Sequence, residues 1–448
     1  MNFRARGLSL VVASSALVLG VTACSSSKNS SSSAPPATSA PAGGTGGATQ
    51  STGATQSTSA PGASTGTTIA IGTIETETGG TQGNTTLGVD TVKAWVDWTN
   101  AHGGLNGHQV KLYTANDNAD PAQAQSALNK MINSDHIVAL VGHDASTTQP
   151  TWDKLLSDAG VPVIGGPAFT TDYNTNPDLY ATTTTVETAV FGGEYVVKQE
   201  GYTKQALLQC NNQSVCLASV PLIKLGAQAL GIDLVYSQTA NALATDYTAQ
   251  CLAMKASHAQ VLEPTVNNQL LASNCKQQGY NPVYVGADDI FTPAQIKATP
   301  SFEGALSFRQ AFPTSQQFPQ TAEYFQAMQQ YAPQYVAGGS KADQNINIIS
   351  AASFSGAYVF GQAVKNANIP ASQAVTSADV KRGLSMIPQG STNGGFTPPV
   401  YYGNGTTTPE KAVPCFWIDK IVNGKYQLIG DLSSVSKQCE ATSLLHFK

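Results

Sequence analysis

The chain has 448 residues, a net charge of −5 and only 11% charged side chains. Its 23 lysines and arginines form no basic stripe, which argues against a nucleic-acid partner. Asn, Gln and Thr carry the polarity instead, and six of the seven cysteines lie beyond residue 200.

In chain order, the first feature is an export signal. Arg4 and Arg6 precede an apolar stretch, Leu8 to Val21, that is too short to span a membrane comfortably. It ends in Val21-Thr22-Ala23-Cys24, which resembles the lipobox of bacterial lipoproteins. That resemblance implies removal of residues 1–23, lipid on Cys24 and a place on the outer face of a cell membrane, in a Gram-positive or actinobacterial cell. An ordinary secretory signal followed by a chance cysteine is the competing reading. Residues 24–67 are Ser, Thr, Gly, Ala and Pro with few other residues, and cannot bury a core. A flexible coil of about 40 residues reaches roughly 35 Å, so this segment reads as a disordered tether. Within it GASTG and SSSK match hydrolase patterns, but neither has the strand–turn–helix or helical context that the chemistry needs.

The remaining body is too long for one core and predicts two lobes. Residues 68–72 form a strand, and Val89, Val92 and Val96 then recur at helical spacing until Gly103-Gly104. A strand over 110–113 is followed by a helix opening at Asp120-Pro121, with Ala124, Leu128 and Met131 inward. A strand over 137–141, a helix over about 150–159 and a strand over 161–164 follow. Helices over 188–200, 218–230, 246–257 and 267–278 then alternate with strands over 205–209, 233–236, 259–262 and 283–285. Such alternation predicts parallel sheets covered on both faces, with ligands beyond the carboxyl ends of the strands.

Cys210, Cys216, Cys251, Cys275, Cys415 and Cys439 are an even set in an exported chain, which suggests disulfides. Pairing of sequential neighbours is expected: 210 with 216, 251 with 275, 415 with 439. No C-x-x-C occurs and the six histidines do not cluster, so no metal or other cofactor is expected.

Several stretches, in order, resemble the type I periplasmic binding proteins of the branched-chain amino-acid (Leu/Ile/Val) receptor group. They are GTIETETGGTQGNTTLGVD (72–90), NAHGGLNGHQVKLYTANDNADPAQA (100–124), VALVGHDASTTQP (138–150), DAGVPVIGGPAFT (158–170) and QGYNPVYVGADD (278–289). The resemblance implies an α/β fold of two Rossmann-like lobes with parallel sheets, joined by a three-crossover hinge. Lobe one would take 68–186 plus 315–398, and lobe two 187–314 plus 399–448. It further implies a monomeric, non-enzymatic lipoprotein that captures a small polar molecule, an amino acid or related amide or amine, and delivers it to an ABC permease. A ligand sensor on the same fold, signalling to a membrane partner without transport, is the alternative. A hydrolase is poorly supported, because no catalytic arrangement falls at the strand ends.

The candidate site follows from the resemblance. Ser146 or Thr147, the backbone of Ala168, and Thr170 match the positions that hold a ligand's carboxylate. Thr148 or Gln149 reads as a cap for the following helix, whose N-terminus would add its dipole. Asp288 matches the acidic residue that holds an α-ammonium, while Asp288 or Asp289 also reads as a cap for a helix near Pro293. Glu75 and Glu77 replace a small turn and would favour a cationic or neutral ligand if they face the cleft, though they can equally point to solvent or pack locally. Thr81 and Gln82 are further lining candidates, and Phe169 would reshape the side-chain pocket. The Asn and Gln side chains of the 210–216 loop are also placed to hydrogen-bond a ligand.

Overall fold

A computed structural model describes residues 66–78, 86–185, 191–211, 214–287, 291–344, 348–402 and 415–435. All of them belong to one unit, residues 59–448. Cys24, Thr81, Gln82, Asp288 and Cys439 fall outside the described residues.

The first sheet has the order β2-β1-β3-β4-β5. Its strands are β1 (Ile69–Glu75), β2 (Val110–Asn116), β3 (Ala139–Val141), β4 (Val163–Ile164) and β5 (Leu179–Tyr180), all parallel. The helices between them begin and end as the residue types dictate. Asp120 accepts from the amides of Ala122 and Gln123 to cap Pro121–Asn133. Gly103 and Gly104, at φ 95° and 75°, turn the chain after Leu87–Ala101. Helix Ile348–Ala367, most of whose 20 residues are buried, packs on this sheet from far along the chain. Close approach is what its small residues allow: a Cβ on Gly165 would stand 2.3 Å from Gly356 Cα.

The second sheet has the order β12-β11-β10-β9-β8-β6-β7. β6 (Lys204–Cys210), β7 (Asp233–Ala240), β8 (Val261–Pro264), β9 (Val283–Ala287) and β10 (Leu306–Arg309) are parallel. The hairpin β11 (Trp417–Val422) and β12 (Lys425–Leu428) adds two antiparallel strands. Side chains alternate between two cores, as both-face burial requires. Leu262 and Tyr284 enter one with Met254 and Leu271, while Val261 and Val285 enter the other with Val196 and Phe308. Disulfides join Cys210 to Cys216 and Cys251 to Cys275. Cys415 is also disulfide-bonded, and its expected partner Cys439 is not described.

One expected helix is replaced. Instead of a continuous helix over 150–159 there is a single 3-10 turn, Gln149–Thr151, and a short helix, Asp153–Asp158. The tight turn lets Trp152 Nε1 reach back to Thr148 Oγ1 at 3.1 Å.

The chain leaves the first sheet through four threonines, 182 to 185, all fully buried. Each of the first three bonds a different element. Thr182 Oγ1 meets Ser355 Oγ at 2.8 Å, and Thr183 Oγ1 accepts from the Ala168 amide at 3.1 Å. Thr184 donates its amide to Gln310 O at 2.9 Å and its hydroxyl to Cys415 O. Gln310 follows β10 and Cys415 precedes β11, so Thr184 binds together the three strands of chain that pass between the lobes.

Candidate functional site at the strand ends of the first sheet

The loops after β1, β2 and β3 are locked to one another by a carboxylate. Asp117 accepts from Thr76 Oγ1 at 2.7 Å, from Thr148 Oγ1 at 2.5 Å and from the Ala119 amide at 2.9 Å. Thr148 therefore does not cap a helix with its side chain. Its hydroxyl is committed to Asp117, the stronger acceptor. The six-residue helix that follows is also too short to supply the dipole expected there.

A buried histidine joins the next two loops. Tyr173 donates its one hydroxyl proton to Gly165 O at 2.8 Å, so His143 Nε2, 2.9 Å from the same oxygen, must carry a proton. His143 Nδ1 is then free to accept from the Ala145 amide at 3.4 Å. Burial drives the His143 pKa down to about 3 and keeps the ring neutral, edge-on to Trp152. The lone histidine is a staple between the loop that carries Ser146 and the loop that carries Thr170.

Within this scaffold the candidate residues separate. Ser146 Oγ and Thr170 Oγ1 are buried and find no hydrogen-bond partner among the described residues. Thr147 is exposed, so the choice left open between the two hydroxyls falls on Ser146. Ala168 is buried, but its amide donates to Thr183 Oγ1. Phe169 is half-buried and packs on the first-lobe core, which narrows any part it takes in a side-chain pocket.

Glu75 is not a free carboxylate at a cleft mouth. It is fully buried and accepts from the amides of Gly88 at 3.1 Å and Val89 at 2.8 Å, at the N-terminus of Leu87–Ala101. The helix end that could have met a ligand's anion is thus filled by the chain itself. Burial outweighs these bonds and pushes the Glu75 pKa up to about 8, with Asp144 adding to the rise. Asp144 is raised to about 7 by burial and by Asp117. The rim is therefore less negative near neutral pH than its composition suggests. Glu77 is half-buried, and its pKa is raised by burial and by Asp90.

The helix Pro293–Ala298 is capped by Thr292, through a reciprocal pair of bonds with Gln295, rather than by Asp288 or Asp289. Among the described residues no cluster of His, Cys, Asp and Glu could hold a metal ion, and no helix is long and apolar enough to cross a membrane. A cavity of about 940 Å³ opens elsewhere, between Trp98, Phe325 and Tyr335 and the pair Ile296 and Tyr426, and among the described residues no strand-end candidate lines it.

A family model described as "periplasmic binding protein" matches residues 68–421, most of the chain. The chain belongs to the periplasmic binding protein family. Solved structures share this periplasmic binding protein fold at low identity. The branched-chain amino acid ABC transporter from Thermus thermophilus with bound valine superposes with a TM-score of 0.65 at 14% identity, covering 82% of this chain and 96% of that one. A solute binding protein of an ABC transporter from R. palustris, in complex with 4-hydroxybenzoate, gives 0.61 at 18% identity over 81% and 96%. An amino acid binding protein of Pseudomonas aeruginosa is 34% identical over 80 residues. That stretch is 18% of this chain and spans only 20% of the relative. As a periplasmic binding protein with two α/β lobes, the molecule is a solute-binding protein and not an enzyme.

Proposed function

We propose that this protein captures a small molecule bearing an acidic group between its two lobes and delivers it to an ABC importer. One observation carries the reading: Ser146 Oγ and Thr170 Oγ1 are buried, without partners among the described residues, at neighbouring strand ends. A buried hydroxyl left unpaired costs about 1–3 kcal/mol, so two of them in stapled loops argue for a ligand that accepts from both. Valine and 4-hydroxybenzoate, bound by the two structural relatives, share a carboxyl group. Asp288 is the second-lobe candidate for an amine on the ligand, since the helix Pro293–Ala298 takes its cap from Thr292. Engagement of both lobes is what makes closure depend on the ligand. Cys24 carries the lipid that holds the body at the outer face of the membrane.

The test is titration calorimetry with valine, 4-hydroxybenzoate and any small molecule that co-purifies and is identified by native mass spectrometry. Ser146→Ala and Thr170→Val should each weaken the best binder by about tenfold. Unchanged affinity in both variants refutes the site.

A further inference from the structure

The four-threonine exit from the first sheet does more than hold the hinge together. Three facts meet there. Thr183 Oγ1 takes the amide of Ala168, which stands two residues before the unpartnered Thr170 hydroxyl. The next residue, Thr184, bonds both other passages between the lobes, at Gln310 O and Cys415 O. Ala168, Thr183 and Thr184 are all fully buried, so water does not substitute for these bonds at no cost.

We propose that Thr183 is a positioning residue that couples the ligand site to the hinge, holding the Ala168 amide in competition with an acidic group of the ligand. An anionic oxygen is the stronger acceptor and takes the amide over. The Thr183 hydroxyl then loses its tie to the ligand loop, and the threonine run is free to move with the crossovers. Binding and lobe closure are linked through a single exchanged hydrogen bond. This rests on the proposed ligand site, but the bond and its consequence for the hinge can be tested without any ligand.

Hydrogen exchange of the full chain, read by mass spectrometry on peptides covering 168 and 184, compares wild type with Thr183→Val and Thr183→Ser. Loss of one neutral hydrogen bond is worth roughly twofold to tenfold in protection. Thr183→Val should speed exchange at Ala168 and, by a similar factor, at Thr184. Thr183→Ser, which keeps the hydroxyl, should restore both. If Thr183→Val does not fold, Thr183→Ala removes the same acceptor without added bulk and carries the same expectation. Faster exchange at 168 with Thr184 unchanged overturns the coupling, as does failure of Thr183→Ser to restore both peptides. A titration of wild type with acetate, a minimal carboxylate, separates the two claims. Acetate should leave 168 protected while 184 exchanges faster. No response to acetate alongside a positive variant comparison would fault the ligand site and leave the coupling standing.

Discussion

Replacing Glu75 by Gln should change how stability depends on pH. In the folded protein its carboxyl is raised from the ordinary 4.5 to about 8. The native state therefore holds a proton that the unfolded chain gives up. Stability from this group is complete below about pH 4.5 and is lost as pH rises through 8. A tenfold change in proton affinity is worth about 1.4 kcal/mol, so the whole window amounts to at most about 5 kcal/mol, and relaxation of the helix end lowers that. The glutamine in Glu75→Gln cannot titrate, yet its side chain keeps one oxygen for the amide of Gly88 or Val89. Urea unfolding at pH 5, 6.5 and 8.5 would measure it. The wild type should lose at most about 4 kcal/mol relative to Glu75→Gln between the two ends of the series. Asp144, Asp153 and Glu263 are raised in the same direction by burial, so both proteins should become less stable on this rise. Only the difference reports Glu75. Parallel profiles for the two proteins would show that the helix-end amides hold the carboxylate charged throughout.

Thr148→Val should cost about 2–4 kcal/mol in thermal or urea unfolding, since it strips the buried Asp117 of a donor and Trp152 Nε1 of its acceptor. Asp288→Ala should weaken an amine-bearing ligand by about a hundredfold in calorimetry while leaving the melting temperature of the unliganded protein unchanged. Cys24→Ser should move the protein from the membrane fraction to the medium, read by fractionation and blotting.

Much of the architecture was legible because the residues repeat it. Most strands up to Val283–Ala287 and the helices between them follow the alternation of short apolar runs with Gly, Pro and Asp stops, while the helix Asp172–Thr175 and the two-residue strand Leu179–Tyr180 are too short to stand out. Legibility ends where contrast ends. Helix Ile348–Ala367 is apolar or small on nearly every face, so no stripe marks it out. Residues 150–159 read as one continuous helix, because the pull of Asp117 on Thr148 depends on a loop 31 residues away. In the site, Ser146 and Thr170 were visible by position along a familiar order of motifs. The place of Glu75 was left open between the cleft, solvent and local packing, because its two amide partners lie at positions 88 and 89 and nothing in its own neighbourhood names them. A run of identical threonines gave no hint that 182, 183 and 184 have separate partners. His143 offered none either, since a single histidine does not announce a tyrosine 30 residues on.

The late arrival of helix Ile348–Ala367 has a consequence for biogenesis. The strands it covers, β3 and β4, leave the ribosome long before it does. Until then those strands lack their cover on one side of the sheet. The second sheet is similarly incomplete until β11 and β12 close its edge. A nascent chain cut anywhere short of that helix would expose a wide apolar face. Chaperone dependence during synthesis should fall on the first sheet, and the protein should tolerate loss of its terminus far worse than changes within residues 24–67.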